Sequence, residues 1–245
     1  MSREQPVGES HPDELDWLRC RQYGVVRDRL DHEIIRFERN FSDLPPYGPH
    51  LRWWIARYSR GDDLAALRRA FPDVVGQVDR DGQDARAREG ETALLFAYAD
   101  GFVGRYRDAL LLLSIALCLR LPECAHTVLR WCERGDALIE TLAEANGAPR
   151  AEREHPAPFP EQFDGLYVAL DAPTPDVAAA AMRAYLSVWL DERMDGMGFK
   201  VSDEGIGYWC LEAAGVVASV GIDDRLFVDE SVYPVDLVAF HREGG

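Results

Sequence analysis

Few residues of this 245-residue chain have the types and spacing that catalysis would need. One carboxylate, Glu212, stands inside the apolar and aromatic stretch GYWCLEAAGVVASVGIDD at 207–224. Such a group could act as a general acid, contact a partner, or fix helix packing through an ion pair or a hydrogen bond. Catalysis would normally add a second carboxylate or a histidine at helical spacing, and neither is present. The spacing favours a structural anchor, with an arginine as its expected partner.

Two other clusters have suggestive residue types. A triad could be imagined near the N-terminus from Ser10, His11 and Asp13, and a metal site from Cys124, His126 and Cys132. The first lacks a scaffold that would hold triad geometry, and the second lacks the four ligands of a structural zinc site. GxSxG, HExxH and a phosphate-binding glycine loop are all missing from the sequence. We therefore expect no catalytic residues, no metal and no cofactor.

The stretch around Glu212 reads as one helix with a defined end. Small residues at Gly215 and Ser219 lie on the side of Glu212, where a second helix could approach closely. Gly221 can adopt the left-handed conformation that ends a helix, with Ile222 folding back against it. Asp223 or Asp224 can then cap a short following helix.

Helical periodicity extends over most of the chain. It predicts helices at 13–40, 50–58, 62–70, 72–80 and 122–132, then one closed by Asn146 and Gly147, and a later one capped by Thr174 or Asp176. Residues 91–120 are expected to be the most buried part of the first half. Alternating strand patterns are almost absent. The fold class is therefore all-α, an irregular multi-helix bundle of two packed helical parts.

A proline-rich segment divides the chain. Residues 148–162 hold four prolines and little periodicity, which is typical of a linker. This gives an N-terminal helical region at 1–147 and a C-terminal acidic helical domain at 163–245.

Charge is unevenly distributed between these parts. Residues 1–150 carry 21 basic and 25 acidic side chains, whereas 151–245 carry 6 and 18. An acidic body of this kind repels nucleic acid and anionic membranes, and it attracts a basic partner. Solubility alone is the plainer explanation.

Location and redox state follow from the same composition. The N-terminal MSREQPVGESHPDEL is polar and acidic, unlike a signal peptide. The apolar run at 109–119 is too short to span a membrane. The five cysteines are odd in number and form no CxxC pair, which favours reduced, buried thiols. We expect a cytoplasmic protein.

The C-terminal stretch also resembles a known family. Its Tyr-Trp pair, Glu-Ala-Ala core and Gly-Ile-Asp-Asp stop, followed by YPVDLV at 233–238, resemble the signature of immunity proteins paired with polymorphic DNase toxins of bacterial type VI secretion systems. The segment between GIDD and YPVDLV departs from the family, which often has a histidine and a second tyrosine there. The matching residues, expected to be structural, include Tyr208, Trp209, Glu212, Gly221, Asp223, Asp224, Tyr233, Pro234 and Asp236.

The resemblance implies a non-catalytic all-α protein that binds and neutralises a cognate nuclease toxin. Exposed carboxylates of the acidic part are the expected contacts: Asp164, Asp171, Asp191, Glu192, Asp195, Asp203 and Glu204. Whether inhibition covers the toxin's active site or disrupts its assembly stays open, as does a homodimer of this chain. The alternatives are a helical interaction scaffold without inhibitory role and a helical hydrolase that uses Glu212.

Overall fold

A computed structural model describes residues 31, 34–35, 47–98, 101–152, 157–189 and 209–244. Within these ranges the chain forms nine α-helices: α1 Tyr47–Arg60, α2 Leu64–Glu89, α3 Val103–Cys118, α4 Pro122–Leu129, α5 Ala137–Ala145, α6 Pro160–Leu170, α7 Pro175–Val188, α8 Leu211–Val220 and α9 Val235–Glu243. A short 3-10 helix, Asp224–Leu226, lies between the last two. The same ranges contain no β-strand beyond an isolated bridge, so the all-α prediction is confirmed.

The two short helices predicted at 62–70 and 72–80 are one long helix, α2. Asp63 caps its first turn by accepting a hydrogen bond from the Ala66 N–H at 2.9 Å. Pro72 lies inside the helix, not at the start of a second one. The apolar stripe from Leu67 to Ala85 continues across Pro72, which lies on the exposed side of the helix.

Helix α4 is shorter than its predicted span of 122–132. It ends at Leu129 because Trp131 is drawn against α2, where its indole N–H donates to Asp79 at 3.1 Å. A Cβ at Gly82 would lie 2.3 Å from the Trp131 ring, so only glycine allows this approach. Cys132 then pairs with Phe96 in the isolated bridge.

Helix α3 is the centre of the fold. Twelve of its 16 residues are buried, because α4, α5, α8 and α9 all pack against it. Its closest neighbour is α8: a Cβ added at Gly215 would lie 2.0 Å from the Ser114 hydroxyl. The predicted close approach beside Glu212 is therefore confirmed, and it joins the two sides of the proline-rich segment.

The predicted helix ends agree with the observed caps. Gly221 has φ 69° and ψ 36°, and its N–H and that of Ile222 both donate to the Val217 carbonyl. Asp223 accepts from the Arg225 N–H at 3.1 Å and so caps the 3-10 helix. Thr174 caps α7 by accepting from the Val177 N–H at 3.3 Å.

Helices on both sides of residues 148–162 contribute to one hydrophobic core. The division into 1–147, 148–162 and 163–245 stays a prediction about sequence organisation. Helix α6 begins at Pro160, within the predicted linker.

Four cysteines lie in the core, and all four are free thiols: Cys118, Cys124, Cys132 and Cys210. Burial raises the pKa of Cys118 to about 12 and that of Cys124 to about 11. The prediction of reduced, buried thiols is confirmed for these four. Cys20, the triad candidates Ser10, His11 and Asp13, and most of the predicted helix 13–40 lie outside the described residues.

Candidate partner-binding surface

Two of the predicted contact residues lie on the described surface. Asp164 and Asp171 are exposed, the first on α6 and the second at its C-terminal cap. With Val168 they follow the i, i+4, i+7 spacing of one helical face. The other five predicted contacts lie outside the described residues: Asp191, Glu192, Asp195, Asp203 and Glu204.

Helices α6 and α7 form a tightly packed hairpin that carries this surface. A Cβ at Gly165 would lie 2.6 Å from the Tyr185 Cβ, so the two helices are nearly in backbone contact. The connection between them holds Pro173 and Pro175, both exposed. The outer face of α6 is therefore presented on a close-packed support.

A buried hydrogen-bonded cluster fixes α6 to the core. The Asp136 carboxylate accepts from the Tyr106 hydroxyl at 2.6 Å and from the Tyr167 hydroxyl at 2.8 Å, and the two hydroxyls lie 2.8 Å apart. The same carboxylate caps α5 through the Leu138 and Ile139 N–H groups. Burial, and then the Asp136 charge, raise the pKa of both tyrosines, so they stay neutral donors. Three helices thus meet at one carboxylate.

Glu212 fixes α7 in a comparable way. Its side chain is buried at 1% exposure, and its Oε1 accepts from the Trp189 indole N–H at 2.8 Å. The Tyr185 hydroxyl lies 3.5 Å from the same oxygen. The donors recorded for Glu212 among the described residues are thus two aromatic side chains at the end of α7, with no arginine among them. The predicted role as a packing anchor agrees with this geometry.

Among the described residues, the ionisable groups recorded beside Glu212 are the Tyr185 hydroxyl and the Cys210 thiol. The Oε2 of Glu212 has no hydrogen-bonding partner in that part of the chain. Burial, and then the Glu212 charge, raise the pKa of the adjacent Cys210 thiol well above its usual range, so the thiol is a poor nucleophile.

Glu140 holds the start of the proline-rich segment against α5. Its fully buried carboxylate accepts two hydrogen bonds from Arg134, at 2.6 and 2.5 Å, and one from the Ala151 N–H at 2.7 Å. Arg134 also donates to the Pro149 carbonyl at 3.0 Å. Burial opposes ionisation of Glu140, but these bonds and that from the Gly135 N–H hold its pKa below the usual value.

Most remaining signature residues join distant helices. The Trp209 indole N–H donates to the Ser59 hydroxyl at 3.0 Å, and Tyr58 donates to Asp236. Arg242 of α9 donates to both Asp224 oxygens at 2.9 Å, and the Tyr233 hydroxyl donates to Asp224 at 3.0 Å. Asp224 is therefore an ion-pair partner, whereas Asp223 is the cap. Pro234 is buried beside α9, and Tyr208 lies outside the described residues.

Sequence reasoning missed the Tyr106–Asp136–Tyr167 cluster. Asp136 stands directly before the apolar run ALIETLAEA, so its capping role carried a sequence signal. The two tyrosines are 61 residues apart, and nothing local indicates that they share a carboxylate.

A separate open cavity of about 510 Å³ lies beside α2. Its lining mixes both signs of charge, with Asp81, Asp84 and Glu89 facing Arg88 and Arg105. Next to it the Tyr47 hydroxyl donates to Asp108 at 2.8 Å, and burial raises the pKa of Asp108. Glu212 does not line this cavity, so Glu212 and the cavity do not form one site. The described residues contain no group of three or more possible metal ligands.

Part of the chain is similar to a family of immunity proteins. Residues 134–237 match the family model described as the C-terminal region of PoNe immunity proteins (PoNi). The match extends from just before α5 into α9, and it contains Asp136, Glu140 and Glu212. A comparison with curated proteins finds no match.

A solved structure shares the fold. The crystal structure of protein PA2201 from Pseudomonas aeruginosa matches with a TM-score of 0.62, covering 89% of this chain and 86% of that one. The two sequences are 18% identical. No helix among the described residues is long and apolar enough to cross a membrane.

Proposed function

We propose that this chain is an immunity protein that binds a cognate secreted DNase toxin through an acidic surface and so protects the cell that makes both. The observation that carries the proposal is the match of residues 134–237 to an immunity-protein family. The DNase partner, its delivery by a type VI secretion system and the cytoplasmic location rest on the resemblance of the C-terminal signature.

Electrostatics supports the choice of partner. A DNase presents a basic surface to DNA, and residues 151–245 carry 18 acidic against 6 basic side chains. An acidic protein surface is attracted to the same basic site, which speeds association and competes with DNA. In the proposal this chain binds no nucleic acid, needs no cofactor and catalyses no reaction.

An interaction scaffold without inhibitory role is the second candidate. The close-packed α6–α7 hairpin would serve either role, since both need a rigid exposed surface. The candidates differ in outcome, because only an immunity protein rescues cells from a toxin. A toxin gene with a nuclease domain beside the gene for this chain would favour immunity, and an isolated gene would favour the scaffold.

Co-expression with the neighbouring toxin in a sensitive cell tests the proposal. We expect survival with intact chromosomal DNA when the full chain is present. Deletion of residues 1–10 should keep protection, and deletion of 156–245 should abolish it. Death with fragmented DNA despite a stable full-length chain would contradict the proposal.

A charge-matched pair of variants tests the acidic surface. Asp164→Asn with Asp171→Asn should slow association with the purified toxin by about tenfold at low salt, because steering weakens when charges are removed near the interface. Asp73→Asn with Glu91→Gln removes the same charge from two other exposed positions. Stopped-flow association rates that fall equally for both pairs would point to net charge alone.

A further inference from the structure

The connection between α6 and α7 has a composition that packing does not explain. The hairpin tip, residues 168–177, reads VALDAPTPDV. Val168 is 53% and Val177 43% exposed, and Asp171 and Asp176 are exposed between them. A single exposed valine is ordinary on a protein surface. The hairpin tip thus exposes two valines and two carboxylates within ten residues of sequence.

The hairpin tip is held rigidly. Pro173 and Pro175 have fixed φ angles, and Thr174 accepts from the Val177 N–H at 3.3 Å. The Asp171 N–H donates to the Tyr167 carbonyl at 3.0 Å, and the Tyr167 side chain is bonded to Asp136. Because the tip is already ordered, binding costs little conformational entropy.

The charge around the hairpin tip has one sign along the sequence. No lysine or arginine occurs from residue 154 to 182, while the same span holds five carboxylates: Glu154, Glu161, Asp164, Asp171 and Asp176. The next basic residue, Arg183, lies 3.8 Å from Glu230.

Three other exposed apolar residues, Phe102, Leu226 and Val228, have an arginine close by in space or in sequence. The Arg105 guanidinium lies 5.8 Å from the centre of the Phe102 ring. Leu226 and Val228 are exposed close to Arg225, which bonds to Asp223. The hairpin tip combines exposed apolar area with an acidic border, so it suits a basic partner better.

We propose that the hairpin tip is the element that inserts into the cognate toxin. Val168 and Val177 would enter an apolar recess, and Asp171 and Asp176 would face basic residues around it. An apolar centre with a charged rim is the usual composition of a protein interface. The inference rests on the proposed function, and it narrows the toxin-binding surface from the acidic residues 151–245 to the hairpin tip.

Paired variants of the full-length chain test the apolar contact. Val168→Ser with Val177→Ser should raise the Kd for a catalytically inactive form of the cognate toxin by at least about tenfold, measured by calorimetry. The control, Ile35→Ser with Phe102→Ser, changes two larger exposed apolar side chains in the first half of the chain and should leave the Kd within about twofold. Thermal unfolding of each variant verifies that the fold is kept.

A second pair tests the acidic border. Asp171→Asn with Asp176→Asn should lower the association rate and flatten its dependence on salt, since fewer charges then face the partner. Asp73→Asn with Glu91→Gln changes the net charge equally at exposed positions in the first half of the chain. It should retain the wild-type salt dependence.

The outcomes separate the two proposals. Wild-type binding with unchanged affinity in both tip variants would overturn the insertion of the hairpin tip and leave the immunity function standing. No binding by the wild-type chain at low salt would overturn both. Sedimentation shows whether the tip variants dissociate a dimer of this chain. If they do so while toxin affinity is unchanged, the tip is a self-association surface and the inference is wrong.

Discussion

At the scale of single residues, the buried carboxylates join helices that are far apart in sequence. Glu212 accepts a hydrogen bond from the Trp189 indole N–H, and Asp136 accepts from two tyrosine hydroxyls. Asp224 accepts two hydrogen bonds from Nη1 of Arg242. A buried acceptor that loses its donors, or a donor that loses its acceptor, costs free energy. Such groups stabilise one arrangement of the helices over others.

Truncation of Glu212 tests its structural role. Glu212→Ala should lower the free energy of unfolding by about 3 kcal/mol, because the Trp189 N–H loses its acceptor and a cavity is left. Glu212→Gln keeps an oxygen acceptor and removes a buried charge, so its cost should be about 1 kcal/mol or less. Urea denaturation measures both.

Toxin binding provides the control for this prediction. Both Glu212 variants should bind the toxin like the wild type under conditions where they are folded, since the carboxylate is buried. Folded Glu212→Gln protein that has lost protection would instead favour a direct functional role for Glu212.

At the scale of elements, close helix contacts depend on glycine. Gly215 allows α8 to approach α3, and Gly165 allows α6 to approach α7. In both pairs a methyl group would overlap a side chain of the neighbouring helix. The orientation of the hairpin therefore depends on residues that have no side chain.

Gly215→Ala should destabilise the protein by about 2 kcal/mol, because its Cβ would also lie 2.9 Å from the Ser114 Cα, which cannot rotate away. Gly104→Ala, near the start of α3, is the matched control: beyond its chain neighbours nothing lies within 4 Å of its Cβ. That change should be neutral or stabilise the helix by about 0.5 kcal/mol. Equal thermal shifts for the two variants would contradict the close contact.

The Glu140 anchor predicts a pH dependence. The pKa of Glu140 in the folded protein lies below its usual value. The ionised carboxylate therefore stabilises the fold fully above the unfolded-state pKa of about 4.3, and this stabilisation is lost as pH falls through the folded-state pKa. The stability difference between wild type and Glu140→Gln should therefore shrink as pH falls from about 6 to about 3. Denaturant unfolding of both proteins across that pH range measures the difference in stability. A difference that stays constant with pH would contradict the coupling between Glu140 ionisation and folding.

At the scale of the whole molecule, charge and packing follow different divisions. The acidic side chains are concentrated in residues 151–245, yet helices from both parts share one core. The Trp209 indole N–H is hydrogen-bonded to Ser59 of α1. Nδ1 of His241 lies within hydrogen-bonding distance, 2.9 Å, of the Leu117 carbonyl oxygen of α3. The matched region 134–237 thus carries the family likeness without containing its own complete core.

A fragment of residues 134–245 should fail to fold by itself. Without α1 and α3, the apolar faces of α8 and α9 lose their packing partners. We expect weak helical circular dichroism and no cooperative thermal transition, whereas the full chain should unfold cooperatively. A sharp transition in the fragment would instead support an independent C-terminal domain.

The sequence alone determined the helical class, the helix end at Gly221 and the acidic bias, and it narrowed two caps to Asp223 or Asp224 and to Thr174 or Asp176. These features depend on local backbone geometry and composition, which a linear pattern contains. The continuous apolar stripe of α2 was also present, but Pro72 outweighed it in the prediction.

Only the tertiary structure decided which groups meet. Glu212 accepts a hydrogen bond from Trp189 where the sequence suggested an arginine. Asp136 accepts hydrogen bonds from two tyrosines that are 61 residues apart. It also placed the exposed valines and carboxylates of the hairpin tip on one rigid turn. The physical reason is that side-chain periodicity specifies which face of a helix is buried, whereas the partner of that face depends on how all the helices pack together.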